Sequence, residues 1–372
     1  MTTHRFRAVD SPDLDALYGD IADVDLQPLW LQKGLLPKTP PLVMRPWLWS
    51  SKTLTDLATR AQTLVGIDRG GDRRVLALAH PDLDGKPFAT QTLWGAIQIL
   101  GVGENAPPHR HTPGALRFVM HGSGAWTAVN SDRISMGPGD LLLTPPMTWH
   151  EHQNEGNGPM LWFDGLDLPL VHGLDAVFFE PGGEEVGKHH STLLSTTEKR
   201  YTAPGVVPAG RTASTSYSDL TVYRWADTDR ALDALLAANG GGGSAVRFTD
   251  PLTGRDIMST LRAKMLRLAA GHRTTTTRTV GSSITVVFRG HGTSVIDGIV
   301  LPWSEGDLFV TPSWVAVDHH AHESSDLFVM SDEPVMEALG LDKFEEIAEH
   351  QEIRGHWDSL DSVKVSRSVG GK

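Results

Sequence analysis

The spacing of apolar residues is helical in two stretches of the first 87 positions. One run consists of Leu14, Leu17, Tyr18 and Ile21, and the other of Leu54, Leu57, Ala58, Ala61 and Leu64. Residues three or four positions apart lie on one face of an α-helix, and Ser11 followed by Pro12 is typical of a helix start. Residues 1–87 are therefore predicted to be a helical and aromatic segment that packs on the rest of the chain.

From residue 88 onward, the apolar runs become short and are separated by glycine and proline. They cover residues 92–100, 116–120, 125–130, 141–144 and 160–163. Short runs with recurring turn residues are typical of an all-β barrel or sandwich. We predict β-units at 88–180 and 245–331, a connector at 181–244, and a C-terminal helical segment at 332–372.

An internal repeat supports two β-units of the same fold. Gly139 and Asp140 begin a run that ends in Thr-Pro at position 145, and Gly306 and Asp307 begin a matching run that ends at position 312. Repeated motifs at matching intervals indicate copies of one structural unit.

Three histidines of the first unit form a candidate metal site. His109 and His111 are two residues apart, so on a β-strand their side chains point to the same face. His150 follows a later turn, and a closed barrel can bring its strand beside theirs. Three neutral imidazoles suit Fe, Zn, Cu, Ni or Mn.

The spacing of these histidines matches the two cupin motifs, which predicts a mainly β bicupin with two jelly-roll β-barrels in one chain. The matching positions are Gly103, His109 and His111 in the first motif, and Gly139, Pro145, His150 and Asn154 in the second. The glutamate ligand of the first motif is replaced by Ala115, so the site is predicted to hold three histidines and no carboxylate.

The second unit lacks the metal-binding residues. Threonine occupies the positions that match His109 and His111, namely Thr277 and Thr279, and Val317 matches His150. We therefore predict a degenerate barrel without metal. The nearby His319, His320 and His322 are interpreted as surface or interface residues.

Composition and net charge limit the classes of molecule that the protein is expected to bind. The net charge is −12 without a basic run, which argues against nucleic acid and an anionic membrane surface. There is no cysteine, so thiolate metal sites, iron–sulfur clusters and disulfides are excluded. No apolar stretch approaches the roughly 20 residues of a membrane span. A soluble, cytoplasmic protein is expected.

Three histidine ligands leave half of an octahedral metal's positions open and contribute no negative charge. Such a site can bind an anionic substrate through two oxygens and keep one position for O2. A carboxylate beside a phenolate on an aromatic ring would provide those two oxygens.

Several segments together resemble the gentisate 1,2-dioxygenase family, whose relatives include salicylate and 1-hydroxy-2-naphthoate dioxygenases. The segments are 68–74, 93–94, 106–118, 139–145, 149–152 and 163–167. The resemblance implies one Fe(II) per chain in the first barrel and a homotetramer. It also implies extradiol-type cleavage of a hydroxylated aromatic acid by O2, with gentisate giving maleylpyruvate as the default and salicylate or 1-hydroxy-2-naphthoate as alternative substrates.

The resemblance and strand parity also suggest substrate-binding residues. Arg117 is expected to clamp the substrate carboxylate through two hydrogen bonds, since parity aims it with His111. Arg69 and Arg73 lie in a glycine-rich loop that reaches the pocket in the family. Without the resemblance, these two arginines would be interpreted as solvent-exposed.

His152 shares the inward face of His150 and is a candidate proton donor or acceptor. Asp164 is expected to bond the distal hydroxyl of the substrate or to orient His152; the alternative is a buried pair formed by these two residues. Trp94 and Gln98 share one strand face and are expected to line the aromatic pocket, although Trp94 could equally be plain core.

Two other classes of protein remain open at this stage. A cupin isomerase or decarboxylase using Mn or Zn would need no O2, but many such enzymes keep the carboxylate ligand that Ala115 has replaced. A bicupin that only binds or stores a small molecule is the non-enzymatic alternative, and the intact first motif argues against it.

Overall fold

The computed structural model describes residues 11–66, 74–183, 194–210 and 216–357. The chain divides into two compact units, Met1–Pro41 and Leu42–Lys372. In the first unit, α1 (Pro12–Asp23) begins where predicted, because the Ser11 side chain accepts a hydrogen bond from the N–H of Leu14. A 3₁₀ turn follows at Leu29–Leu31.

The second unit contains two barrels of eight strands each. The first barrel consists of β3 (Trp94–Leu100), β4 (Asn105–His111), β5 (Ala115–His121), β6 (Ala125–Val129), β7 (Asp132–Ser135), β8 (Leu141–Thr144), β9 (His150–Asn154) and β10 (Met160–Leu166). The second consists of β14 (Arg262–Leu268), β15 (Thr276–Thr279), β16 (Ser283–Arg289), β17 (His291–Ile296), β18 (Ile299–Ser304), β19 (Leu308–Thr311), β20 (Val317–Ala321) and β21 (Ser325–Ser331).

Further elements precede, connect and follow the barrels. They are β1 (Trp47–Trp49), α2 (Ser51–Leu64), β2 (Val75–Ala77), α3 (Leu168–Gly173), β11 (Phe179–Pro181), α4 (Thr196–Arg200), β12 (Val222–Tyr223), α5 (Trp225–Ala238), β13 (Gly243–Arg247), α6 (Glu333–Ala338), β22 (Phe344–Ile347) and β23 (Gly355–His356). None of the described helices is long and apolar enough to cross a membrane.

Each barrel is built from two sheets in matching order, and the strands are antiparallel except for the parallel pair β18 and β23. The first barrel has the sheets β12-β8-β5-β10-β3-β2 and β11-β4-β9-β6-β7, and the second has β1-β19-β16-β21-β14-β13 and β22-β15-β20-β17-β18-β23. This arrangement confirms the predicted mainly β bicupin. The largest core lies between the barrels, where the rings of Phe118 and Phe328 stack with centroids 4.2 Å apart.

Each barrel is completed by a strand from the segment that precedes the other barrel. The strand β1 pairs with β19, and β12 pairs with β8. The helices that follow are attached in the same way: the N–H of Ser51 donates to Asp307 at 2.7 Å, and the N–H of Trp225 donates to Asp140 at 2.9 Å. The internal repeat therefore includes these strands and helices as well as the barrels.

The segments outside the barrels contain more β-structure than the sequence analysis predicted. The predicted connector at 181–244 includes α4, β12 and the whole of α5. Within the predicted helical segment at 332–372, only α6 is helical in the described part, and β22 and β23 add to the sheet of the second barrel. Unpaired edges of that sheet explain this difference, because short strands can satisfy backbone groups that a helix would leave exposed.

The interpretation of His319 as a surface or interface residue is wrong. Its ring lies inside the second barrel, where Nδ1 and the Ser294 hydroxyl are 2.7 Å apart, and burial lowers its pKa to about 4. Side chains alternate along β20, so His319 shares the inward face with Ala321 of the core. His322 is exposed.

Two buried aspartates link the barrels reciprocally. At the end of the first barrel, Asp167 accepts hydrogen bonds from the N–H of Gly114 (2.8 Å) and the hydroxyl of Thr260 (2.5 Å). At the end of the second barrel, Asp332 accepts hydrogen bonds from the N–H of Ser282 (2.8 Å) and the hydroxyl of Thr92. Burial raises the pKa of both carboxyls.

Replacing Asp332 by alanine should lower the free energy of unfolding by about 2–4 kcal/mol, because it leaves buried donors without an acceptor. Chemical denaturation would measure the change. Asp56→Ala is the matched control: Asp56 forms only an exposed pair with Lys52, and its loss should cost no more than about 0.5 kcal/mol. Equal effects of the two substitutions would show that the inter-barrel link does not stabilise the fold.

Candidate metal centre and active site

The barrel brings the three predicted metal ligands together. His109 on β4 lies directly opposite His150 on β9, and His111 follows two residues later on the same face. The ring centroids of His150 lie 4.3 Å from those of His109 and 4.9 Å from those of His111. One ring nitrogen from each histidine lies within 4.8 Å of the other two, which is compatible with a single ion between them.

Backbone carbonyls fix the tautomer of all three imidazoles. Nδ1 of His109 lies 2.9 Å from the Pro107 oxygen, Nδ1 of His111 lies 2.8 Å from the Pro113 oxygen, and Nδ1 of His150 lies 2.9 Å from the Thr148 oxygen. A carbonyl oxygen can only accept, so each Nδ1 carries the proton and each Nε2 has the lone pair that a metal needs.

Burial and neighbouring groups keep His150 neutral before a metal binds. Burial lowers the pKa of His150 well below its usual value, and His109 and His111 lower it further. A neutral imidazole is the form that coordinates metal. The residues therefore fit a divalent ion with nitrogen ligands. Ala115, at the position of the glutamate ligand of the motif, is a buried apolar residue.

The corresponding place in the second barrel has no such ligands. Thr277 lies opposite Val317 there, as His109 lies opposite His150 in the first barrel. Within the described ranges, the only group of three potential ligands close enough to hold an ion is the histidine triad of the first barrel.

A buried arginine extends across the first barrel beside the triad. Nε and Nη2 of Arg117 each lie 2.9 Å from Oδ1 of Asp164, and the guanidinium lies 4.4 Å above the Trp162 ring. Burial lowers the pKa of Arg117 and raises that of Asp164, and their ion pair opposes both shifts. The indole of Trp162 also donates to Oδ2 of Asp164 at 2.9 Å.

The same guanidinium connects the two sheets of the barrel. Its Nη1 lies 2.6 Å from Nδ1 of His152 and 3.0 Å from the Thr127 hydroxyl on the opposite sheet. Burial and then the charge of Arg117 lower the pKa of His152 well below its usual value. Nη1 also lies 3.0 Å from Nε2 of the same ring. Because Arg117 can only donate, the shorter contact favours Nδ1 as the acceptor and Nε2 as the nitrogen that carries the proton of the neutral ring.

Asp164 does not contact His152 directly in the described structure. The predicted orientation of His152 by Asp164, and the alternative of a buried pair, are replaced by an arrangement in which Arg117 lies between them. The sequence analysis missed Thr127 and Trp162 as members of this network. Strand parity could have identified Trp162, since it lies two residues from Asp164 on the same strand. No sequence pattern pointed to Thr127.

Of the four remaining predicted site residues, the structure describes two, Gln98 and Trp94. Gln98 on β3 is buried and lies opposite Trp162 in the sheet, and Trp94 is partly exposed at the start of that strand. Arg69 and Arg73 lie outside the described residues. Arg74, which follows them, is buried and forms an ion pair with Glu104.

Similarity to known proteins agrees with this geometry. A family model described as a cupin domain matches residues 96–166. A gentisate 1,2-dioxygenase of Streptomyces is 48% identical over 88% of this chain and 94% of its own length. A 5-aminosalicylate 1,2-dioxygenase of Comamonas is 35% identical over 93% and 95%.

Among solved structures, the salicylate 1,2-dioxygenase from Pseudoaminobacter salicylatoxidans, crystallised as an adduct with gentisate, is 40% identical. It aligns with a TM-score of 0.87 over 94% of this chain and 98% of its own. The metal-ligand geometry, the bicupin fold and these near full-length similarities lead to one conclusion: the chain belongs to the gentisate 1,2-dioxygenase family of ring-cleaving dioxygenases.

Proposed function

We propose that this protein is an Fe(II)-dependent dioxygenase that cleaves gentisate with O2 to give maleylpyruvate. The observation that carries the proposal is the juxtaposition, in one barrel, of three imidazoles with oriented Nε2 atoms and a buried arginine. The gentisate and salicylate dioxygenases to which the chain is similar support the class of substrate. One iron per chain and a homotetramer are expected.

His109, His111 and His150 would hold the iron. When bound, it supplies the coordination and redox chemistry that allows O2 to react with an aromatic ring. A histidine-only ligand set contributes no charge, so an anionic substrate is needed to balance the divalent ion.

Arg117 is proposed to bind the substrate carboxylate. Asp164 and Trp162 fix the guanidinium from two sides, so it is already oriented when the substrate arrives. Asp164 also neutralises much of the arginine's charge, and Arg69 and Arg73 are proposed to provide additional positive charge for an acid. In this arrangement Asp164 positions Arg117 and leaves binding of the distal hydroxyl to other residues.

His152 is proposed to donate a hydrogen bond to the substrate's phenol oxygen. Arg117 and Thr127 bond its Nδ1 at 2.6 and 2.9 Å, closer than the 3.0 Å between Arg117 and Nε2, which favours Nε2 as the donor to the substrate. The lowered pKa keeps the ring neutral, so it can stabilise a phenolate and exchange a proton without adding a second positive charge beside the triad.

Gln98 and Trp94 are proposed to bind the ring. The amide of Gln98 is buried and makes no side-chain hydrogen bond within the described part of the chain, so a ring hydroxyl would satisfy it. Gentisate has a second hydroxyl that salicylate lacks, and that hydroxyl makes the ring more electron-rich and easier to oxidise.

Iron-loaded protein should consume O2 fastest with gentisate and produce a ring-opened keto acid in equal amount. Oxygen uptake and product absorbance, measured with gentisate, salicylate and 1-hydroxy-2-naphthoate, would test this. Faster turnover of another acid would reject gentisate as the substrate, and product formation without O2 would reject a dioxygenase.

His109→Ala should abolish stoichiometric binding of Fe(II) and reduce activity to background, because two imidazoles cannot retain the ion. Metal analysis of protein loaded anaerobically gives the result. His320→Ala changes a histidine on β20, the strand of the second barrel that corresponds to β9, and should leave one iron per chain. Loss of iron in both variants would contradict the assignment.

Arg117→Lys should weaken anaerobic binding of gentisate by about 10- to 100-fold, since a lysine keeps the charge but loses the fixed fork of donors. Calorimetry on the iron-loaded protein would measure the dissociation constant. The control is Arg133→Lys: Arg133 also lies over a tryptophan and pairs with a glutamate, but on the outer strand β7. Unchanged affinity in Arg117→Lys would exclude Arg117 as the carboxylate ligand.

A further inference from the structure

A cavity lies outside both barrels, beneath the helix α2. Its volume is about 350 Å³, within the roughly 300–1,000 Å³ of small-molecule sites. The apolar walls are Leu54, Ile97, Met120, Leu161 and Phe288. Ser51, His121 and Glu305 lie at its rim.

This cavity is separate from the metal centre although they share strands. Ile97 and Leu161 line the cavity, whereas their neighbours Gln98 and Trp162 face the interior of the first barrel. Successive side chains on a strand point to opposite faces, so the sheet itself separates the two sites.

Because the two halves of the chain repeat each other, the cavity has an equivalent place, its counterpart, in the other half, identified by matching strand pairs. Trp49 lies opposite Leu308, and Tyr223 lies opposite the equivalent Leu141. Two residues later come Ser51 and Trp225, and each begins a helix whose first N–H donates to the aspartate of a Gly-Asp pair. Ser51 is therefore the structural equivalent of Trp225.

In the counterpart, the Trp225 indole occupies the space. Its ring lies 4.8 Å from that of Phe288, and the Arg289 guanidinium lies 4.8 Å from its centroid. A Cβ atom placed on Gly139 would lie only 2.6 Å from the indole. The repeat therefore shows which chemical group this kind of space accommodates.

At three positions around the cavity, the residue is smaller than its equivalent in the counterpart. Ser51 replaces Trp225, Met120 replaces Phe288, and His121 replaces Arg289. Gly306, the equivalent of Gly139, faces only the Ser51 side chain, whose Cβ lies 2.8 Å from the position a Cβ on Gly306 would take. The cavity thus exists because the side chain that fills its counterpart is absent.

We propose that this cavity binds a small, uncharged planar aromatic molecule of about the size of indole. Leucine, isoleucine and phenylalanine walls favour an apolar ring, and the Met120 thioether makes favourable contacts with aromatic edges. His121 and Glu305 at the exposed rim can bond a polar ring substituent. Glu305 would repel a carboxylate, and no lysine or arginine of the described residues lines the cavity, so the site differs in preference from the metal centre.

The test titrates indole into the iron-loaded, full-length protein under anaerobic conditions, without aromatic acid, by calorimetry. The expected result is one indole per chain. Ser51→Trp inserts the counterpart's side chain and should weaken binding by about tenfold or more. Lys52→Trp is the matched control, since it adds the same ring at a side chain that is 85% exposed, and should bind as the unmodified protein does.

Thr55 also lines the cavity, one helical turn after Ser51, so Thr55→Phe would fill the same space if Ser51→Trp does not fold. The proposal is overturned if the unmodified protein binds no indole, or if binding persists in both cavity-filling variants, which would place the indole elsewhere. A second copy of the chain could instead cover the cavity. In that case indole would not bind and Ser51→Trp would change the sedimentation coefficient, which also overturns the proposal.

Discussion

The antiparallel register of β4 and β9 is the constraint on which the active site depends. It sets His109 opposite His150, and the two-residue period of a strand then brings in His111 and His152 on the same face. A shift of one residue would turn the imidazoles away from each other. The carbonyls that hold the Nδ1 atoms belong to residues two positions from each histidine, so the same backbone both places the rings and sets their tautomers.

The fold class, the convergence of the three histidines and the lack of matching histidines in the second barrel could be predicted because each follows from spacing within a short motif. The network around Arg117 could not, since it depends on residues that meet only across the barrel. Thr127 lies on a different sheet from Arg117, and no pattern along the chain relates them. The insertion of Arg117 between Asp164 and His152 likewise depends on side-chain length and not on strand parity.

Each barrel has a hydroxyl side chain in its interior that bonds a histidine, and the residues around this pair differ between the barrels. Thr127 bonds His152 in the first, and Ser294 bonds His319 in the second. The Arg117–Asp164 pair of the first barrel corresponds to Thr285 opposite Val329 in the second. Without an arginine at this position, the second interior lacks the fixed positive charge that would bind an acid, and His319 lies there beside Ser294 and Phe309.

The exchange of β1 and β12 explains why a barrel that has lost its ligands is retained. Removing the second half of the chain would take away β12 and leave β8 as an open sheet edge, and removing residues before the first barrel would expose β19 in the same way. A truncation that removes either half of the chain therefore leaves an unpaired strand edge in the half that remains. The catalytic barrel depends structurally on the half of the chain that lacks the histidine ligands, so the smallest folding unit of this architecture is the whole two-barrel chain.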